Sequence, residues 1–156
     1  MTGFEVTAVR QDWNRPTSRD WADVLAQFPL FSQVGKRRLR EIARAGEFAL
    51  YVPGDTVIAV GEPADWFFVI LSGEATVRGR LTARTLSTGD FFGEMALLDG
   101  TCRSASVVAT DELHVLKLSR RTFFQLLERD PGVAQTILSE LGARVRRLEQ
   151  PVPLAL

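Results

Sequence analysis

The spacing of apolar residues divides the chain into helical stretches around a long central stretch of alternating character. Trp21, Val24, Leu25 and Phe28 recur at helical spacing, with Thr17 or Ser18 as cap and Pro29 as stop. Ser32 is the next candidate cap. The helix after it turns Val34, Leu39, Ile42 and Ala43 inward and Lys36, Arg37, Arg38 and Arg40 outward, and Gly46 ends it in the left-handed position usual for a helix stop. From Glu47 the period falls to two. Strands are predicted over Phe48–Val52, Thr56–Val60, Trp66–Leu71, Ala75–Arg80 and Leu81–Leu86, with turns at Pro53-Gly54-Asp55, Gly61–Asp65, Ser72-Gly73-Glu74 and Ser87–Asp90. Trp66–Leu71 is almost wholly apolar, so both of its faces are expected to be covered. Ser104–Ala109 and Leu113–Leu118 read as a hairpin across Thr110-Asp111-Glu112. Ser119 then caps a helix carrying Phe123, Phe124, Leu126 and Leu127, and Asp130-Pro131 restarts the chain as an N-cap with proline in the first turn. The last helix shows a stripe of Val133, Ile137, Leu138, Leu141, Val145 and Leu148, opposite a face of Glu140, Arg144, Arg146, Arg147 and Glu149, until Pro151 and Pro153 stop it. Short strands with glycine turns beside terminal helices predict an α+β fold built on a closed or double-sheet β architecture.

Composition narrows the function classes. With 156 residues there is room for one domain and a real core, and 46% hydrophobic with 24% charged residues is the balance of an ordinary globular protein. Nineteen basic residues match 19 acidic ones, so bulk attraction to nucleic acid or to a membrane surface is not expected. No apolar run approaches a membrane span and no signal-peptide core follows Met1, which together with a single cysteine places the chain in a reducing cytoplasm. One histidine, His114 on a strand, and one cysteine, Cys102 in a loop, argue against a metal site or cofactor. No nucleophile stands in a recognisable turn, so an enzyme is not expected. The basic cluster at Lys36–Arg40 reads as a solvated helix face.

The distinctive chemistry lies between Phe91 and Val108. Gly93 allows close approach of the backbone, Glu94 follows it, Met95–Leu98 suffices for one helical turn, and Asp99-Gly100 closes that turn. Arg103-Ser104-Ala105 then leads into a strand. Free N–H groups at a helix start and a guanidinium fork suit an anion, while a carboxylate accepts hydrogen bonds from sugar hydroxyls. A sugar-bearing anion is the ligand this combination suggests. The alternative is a structural salt bridge between Glu94 and Arg103 across a loop.

The string F-G-E-M-A-L-L-D-G-T-C-R-S-A-S-V resembles the phosphate-binding cassette of cyclic-nucleotide-binding domains of the catabolite activator protein and protein kinase A regulatory type. With the earlier L-x-x-F-P-L-F-S and the turn glycines 54, 61, 73 and 89, the resemblance covers most of the chain. It implies an antiparallel β-roll (double-stranded jelly roll) flanked by N-terminal helices and by B- and C-type helices. By the same resemblance Glu94 takes the ribose 2′-hydroxyl and Arg103 the cyclic phosphate. Gly93, Ala96, Ser104 and Ala105 supply further contacts, and Met95 is a buried relay toward the helices. Cys102 stands where many relatives carry proline.

The layout implied is an arm over 1–16, helices over 17–46, a roll over 47–118 holding the cassette 91–108, hinge and lid helices over 119–150, and a tail over 151–156. Leu141, Val145 and Leu148 are the lid candidates. The functional expectation is an apparently stand-alone sensor of cyclic AMP, or of cyclic GMP as the less favoured ligand. No metal, catalytic residue or resident cofactor is expected. Its partners would be an effector protein or fused domain and a second copy through the C-terminal helix. The alternative is a degenerate roll that acts as an interaction or dimerisation scaffold without ligand.

Overall fold

The structure is a computed structural model that describes residues 18–79 and 83–149. The expected arm over 1–16, the cap at Thr17, the strand residues Arg80–Thr82 and the tail lie outside these residues.

Two antiparallel four-stranded sheets make the roll. One has the order β1 (Glu47–Tyr51), β8 (Leu113–Ser119), β3 (Trp66–Ser72), β6 (Phe91–Phe92). The other runs β2 (Thr56–Ile58), β7 (Ser106–Ala109), β4 (Ala75–Arg78), β5 (Ala83–Leu86). Successive side chains of a strand point to opposite faces, and β3 uses both. Phe68 and Ile70 enter a core between the sheets with Tyr51, Leu113 and Val115, while Phe67, Val69 and Leu71 enter a second core beneath the helices with Leu116 and Leu118. The unbroken apolar run of β3 is thus the signature of a sheet covered on both faces.

The helices supply the second core. α1 (Ser18–Leu25) contributes Trp21 and Leu25, α2 (Lys36–Ala45) Leu39 and Ile42, α4 (Arg120–Arg129) Phe123 and Leu126, and α5 (Pro131–Glu149) Val133 and Ile137. Phe67 stacks on Phe123 with ring centroids 4.7 Å apart and tilts against Phe91 at 5.7 Å. Ser119 caps α4 as expected, its hydroxyl accepting the Thr122 N–H at 3.2 Å. Pro131 opens α5, and the carboxylate of Asp130 receives Arg38 Nε from α2 at 3.0 Å, which ties the two helical pairs together.

Four expectations change. Ser32 does not cap α2; it follows a 3-10 helix, Pro29–Phe31, and α2 begins after Gly35 with no side-chain cap. Gly46 ends α2 in extended backbone, φ −87°, so it is not a left-handed stop. A Cβ there would lie 2.4 Å from Leu116 Cδ1, so the residue is small because β8 passes against it. β7 and β8 are not a hairpin but belong to different sheets, because Val107 and Ala109 face Leu113 and Val115 across the core between the sheets. Finally, the apolar stripe of α5 is only partly used. Val133 and Ile137 are buried and Leu141 is packed at the edge, but Leu138, Val145 and Leu148 are exposed.

Tyr51 lies between the sheets, and burial, followed by the charges of Asp55 and Glu62, pushes its phenol up to about 12. An unfolded tyrosine ionises near 10. Below that pH both states are neutral, so its full contribution is present. Stability should then fall by about 2–3 kcal/mol as pH rises from roughly 10 to 12, because only the unfolded chain releases the proton there. Urea unfolding at stepped pH measures this loss, and Tyr51→Phe should remove it.

Candidate functional site

The cassette departs from a simple strand connection because of one backbone angle. Gly93 has φ +89°, a left-handed conformation that other residues rarely adopt. It turns the chain from β6 into a short helix, α3 (Glu94–Asp99), closed by Gly100 at φ +72°. A Cβ on Gly93 would also meet Arg103 Nη1 and the Trp66 carbonyl at 3.0 Å, so the position is closed to larger residues on two counts.

Arg103 is anchored from several directions. Its Nη1 donates to the Gly93 carbonyl at 2.7 Å and its Nη2 to the Trp66 carbonyl at 2.6 Å. Its backbone is held by a reciprocal pair, Arg103 N–H to Glu62 O at 2.9 Å and Gly61 N–H to Arg103 O at 2.8 Å. The side chain is only 6% exposed, and its Nε is buried with no hydrogen-bond partner. Burial pulls the guanidinium below its ordinary range, while Glu62, Asp65 and Glu94 act in the opposite direction. A positive charge fixed in place, poorly hydrated and not closely ion-paired is suited to an incoming anion.

Glu94, at the first position of α3, is 1% exposed. Its carboxylate accepts from Nη1 of Arg144 on α5. The structural salt bridge expected as the alternative, Glu94 to Arg103, is therefore not the arrangement adopted: Arg103 bonds to carbonyls and Glu94 to Arg144. Arg144 also lies 3.6 Å from Glu140, one turn earlier on α5, which in turn is 3.4 Å from Arg84 on β5.

Gly93, Glu94, Met95, Ala96, Arg103, Ser104 and Ala105 border one cavity of about 70 Å³, together with Ile58, Val77, Arg84, Val107 and Arg144. All seven cassette residues named from the sequence are thus brought to one place. Their surroundings differ from expectation at Met95, which is 48% exposed and is no buried relay; the large buried side chain that α3 sends beneath the helices, beside Ala96, is Leu97. Ser104 is exposed at the rim. Of the lid candidates, Leu141 packs against the helical core, and Val145 and Leu148 are 51% and 70% exposed; none of the three borders the cavity.

Arg84 and Arg144 are site residues that the sequence analysis missed. Arg144 is expected on the face opposite the apolar stripe of the last helix, yet it follows Val133 by eleven residues, as Ile137 follows by four and Glu140 by seven, the spacing of one helical face. That register was available in the sequence. The partners that turn this face toward the roll, Glu94 and Arg84, were not. Among the described residues no group of three or more His, Cys, Asp or Glu could hold a metal ion, and no helix is long and apolar enough to cross a membrane.

A two-sheet roll thus carries a left-handed glycine, a buried Glu and a buried Arg around one cavity. Residues 49–130 match the family model described as cyclic nucleotide-binding domain, and the chain belongs to that family. It is 37% identical over 118 residues to a cAMP-dependent protein kinase regulatory subunit of Colletotrichum orbiculare, covering 74% of this chain and 30% of that protein. It is 38% identical over 136 residues to a cyclic nucleotide-gated potassium channel of Rhizobium etli, covering 87% and 37%. The chain therefore spans about a third of the length of these relatives. Among solved structures, the catabolite activator protein of Thermus thermophilus superposes with a TM-score of 0.68 at 31% identity, covering 78% of this chain and 60% of that one. The chain is thus a member of the cyclic nucleotide-binding domain family, similar in sequence to part of a protein kinase regulatory subunit.

Proposed function

We propose that this chain is a cytoplasmic sensor that binds a cyclic purine nucleotide, cyclic AMP in preference to cyclic GMP, and relays binding through α5 to an effector protein or fused domain. The observation that carries this reading is the pairing of a buried guanidinium and a buried carboxylate at one cavity, Arg103 for the cyclic phosphate and Glu94 for the ribose 2′-hydroxyl. The preference for cyclic AMP follows the names of the relatives, one of which is cAMP-dependent. Gly93, Ala96, Ser104 and Ala105 line the phosphate end, with Met95 at the rim.

The relay follows from competition at one carboxylate. A cavity of about 70 Å³ is well below the roughly 300 Å³ at which ligand pockets begin, so a nucleotide enters only if part of the wall moves. The wall that can move is α5, whose Arg144 occupies the carboxylate that the ribose hydroxyl needs. Ligand therefore favours a different position of α5, and a ligand shifts only an equilibrium between states it binds unequally. Covering of the base by Leu141, Val145 or Leu148, and pairing of a second copy through the exposed Leu138, Val145 and Leu148, belong to that displaced position.

Thermal unfolding with each nucleotide tests binding: at a hundred times its dissociation constant cyclic AMP should add about 2.7 kcal/mol, with cyclic GMP weaker and 5′-AMP weaker still. If neither cyclic nucleotide moves the melting curve, the sensor reading fails and a scaffold role takes its place. Hydrogen exchange tests the relay. Protection should rise over 93–105 and change over 131–149, and a change confined to 93–105 would leave binding without a switch.

A further inference from the structure

A second, larger cavity of about 480 Å³ shares Arg84 and Arg144 with the first and lies between α5, β5, the turn before β6 and the 3-10 helix Pro29–Phe31. Three guanidiniums border it: Arg84 from β5, and Arg144 and Arg147 from successive turns of α5. Of the carboxylates at its wall, Asp90 accepts the Ser87 N–H at 2.8 Å; apart from Glu94, which takes Nη1 of Arg144 on the cassette side, Glu140 alone serves the three arginines. It does so loosely, at 3.4 Å from Arg84, 3.6 Å from Arg144 and 3.7 Å from Arg147, all beyond the range of a good N–H···O bond. Nε of Arg144 is buried and hydrogen-bonds nothing. Burial, and next the charge of Arg144, hold Arg84 below its ordinary range. Leu30 and Phe91, both buried, add apolar surface to its lining.

We propose that this cavity is a second site, beside the cassette and sharing Arg84 and Arg144 with it, for a small organic anion: a phosphomonoester or carboxylate group held by Arg84, Arg144 and Arg147, with an aromatic or short apolar body against Leu30 and Phe91. Its volume falls within the range of ligand pockets, and a tetrahedral anion supplies the short acceptors that Arg84, Arg147 and Nε of Arg144 lack. Because Arg144 also holds Glu94, an anion drawn to this side acts on the same helix position as a nucleotide in the cassette.

Phenyl phosphate is a suitable probe, with inorganic phosphate and phenol as its separated halves, followed by backbone NMR of the full chain at constant ionic strength. Saturable shifts are expected over 84–91 and 136–147, equally in the wild type and in Arg103→Ala, or in Arg103→Lys should the alanine variant not fold. Arg147 is half exposed and borders only this cavity, so Arg147→Ala should keep the fold and cyclic nucleotide binding. It should weaken phenyl phosphate roughly tenfold, the effect of one lost charge-assisted contact. Phenol and inorganic phosphate should each bind more weakly than the whole probe. Shifts confined to 93–105 and lost in Arg103→Ala would mean the probe enters the cassette, and would overturn the proposal. Equal affinity in Arg147→Ala, or no saturable shift, would overturn it as well and leave the arginines as an ion-pair network that fastens α5.

Discussion

Arg103→Ala is expected to weaken cyclic AMP binding by about 3–5 kcal/mol, a loss of roughly a hundredfold to a few thousandfold. The phosphate would enter a dehydrated site from which the countercharge has gone. The same change should also lower stability by about 1–3 kcal/mol, because the carbonyls of Gly93 and Trp66 lose their donors. The two effects separate by calorimetric titration well below the melting temperature. Arg103→Lys is expected to bind poorly too, since an ammonium lacks the planar fork that reaches both carbonyls and the ligand. Glu94→Ala should lose less, about 1.5–3 kcal/mol, as the hydroxyl it serves is neutral. Equal affinities of wild type and Arg103→Ala would place the phosphate elsewhere.

Phe67→Ala should cost about 3–5 kcal/mol of stability, the usual range for truncating a fully buried phenylalanine. For a chain of this size that lowers the melting temperature by on the order of 10 °C. Its position adds a second expectation. Phe67 stacks on Phe123 of α4 and touches Phe91, two residues before Gly93, and its chain neighbour Trp66 provides a carbonyl to Arg103. A cavity at this point should loosen the connection between the cassette and the helices. Cyclic AMP should still bind Phe67→Ala, but the exchange response over 131–149 should shrink. An undiminished response would mean that the signal travels through Arg144 and Glu94 alone.

Much of this architecture is written locally. The period-two strands, the turn glycines, the Ser119 cap and the F-G-E to R-S-A string are each specified by residues within a few positions of one another, so they could be read from the chain before the fold was known. What could not be read depends on contacts between distant residues. Gly46 looked like a left-handed stop because the reason for its size, Leu116, lies on another strand. β7 and β8 looked like a hairpin because alternation within a strand does not say which sheet it joins. The assignment of Arg144 to the face opposite the apolar stripe missed its role for the same reason, since helical spacing shows which residues share a face but not which face meets the roll. Met95 was assigned by resemblance to a buried role that α3 gives to Leu97.

The sheet that contains β3 has no outside. With Phe68 and Ile70 on one face and Phe67, Val69 and Leu71 on the other, each committed to a different core, the chain has no plane along which it can be cut into a roll and a helical part. A fragment limited to 47–118 would present Phe67, Val69, Leu71, Leu116 and Leu118 to water as one contiguous oily patch, and patches of that kind aggregate. Anyone transplanting this domain into a fusion protein must therefore carry α1 to α5 along with the strands. The helices are the other half of the wall to which the nucleotide cassette is attached.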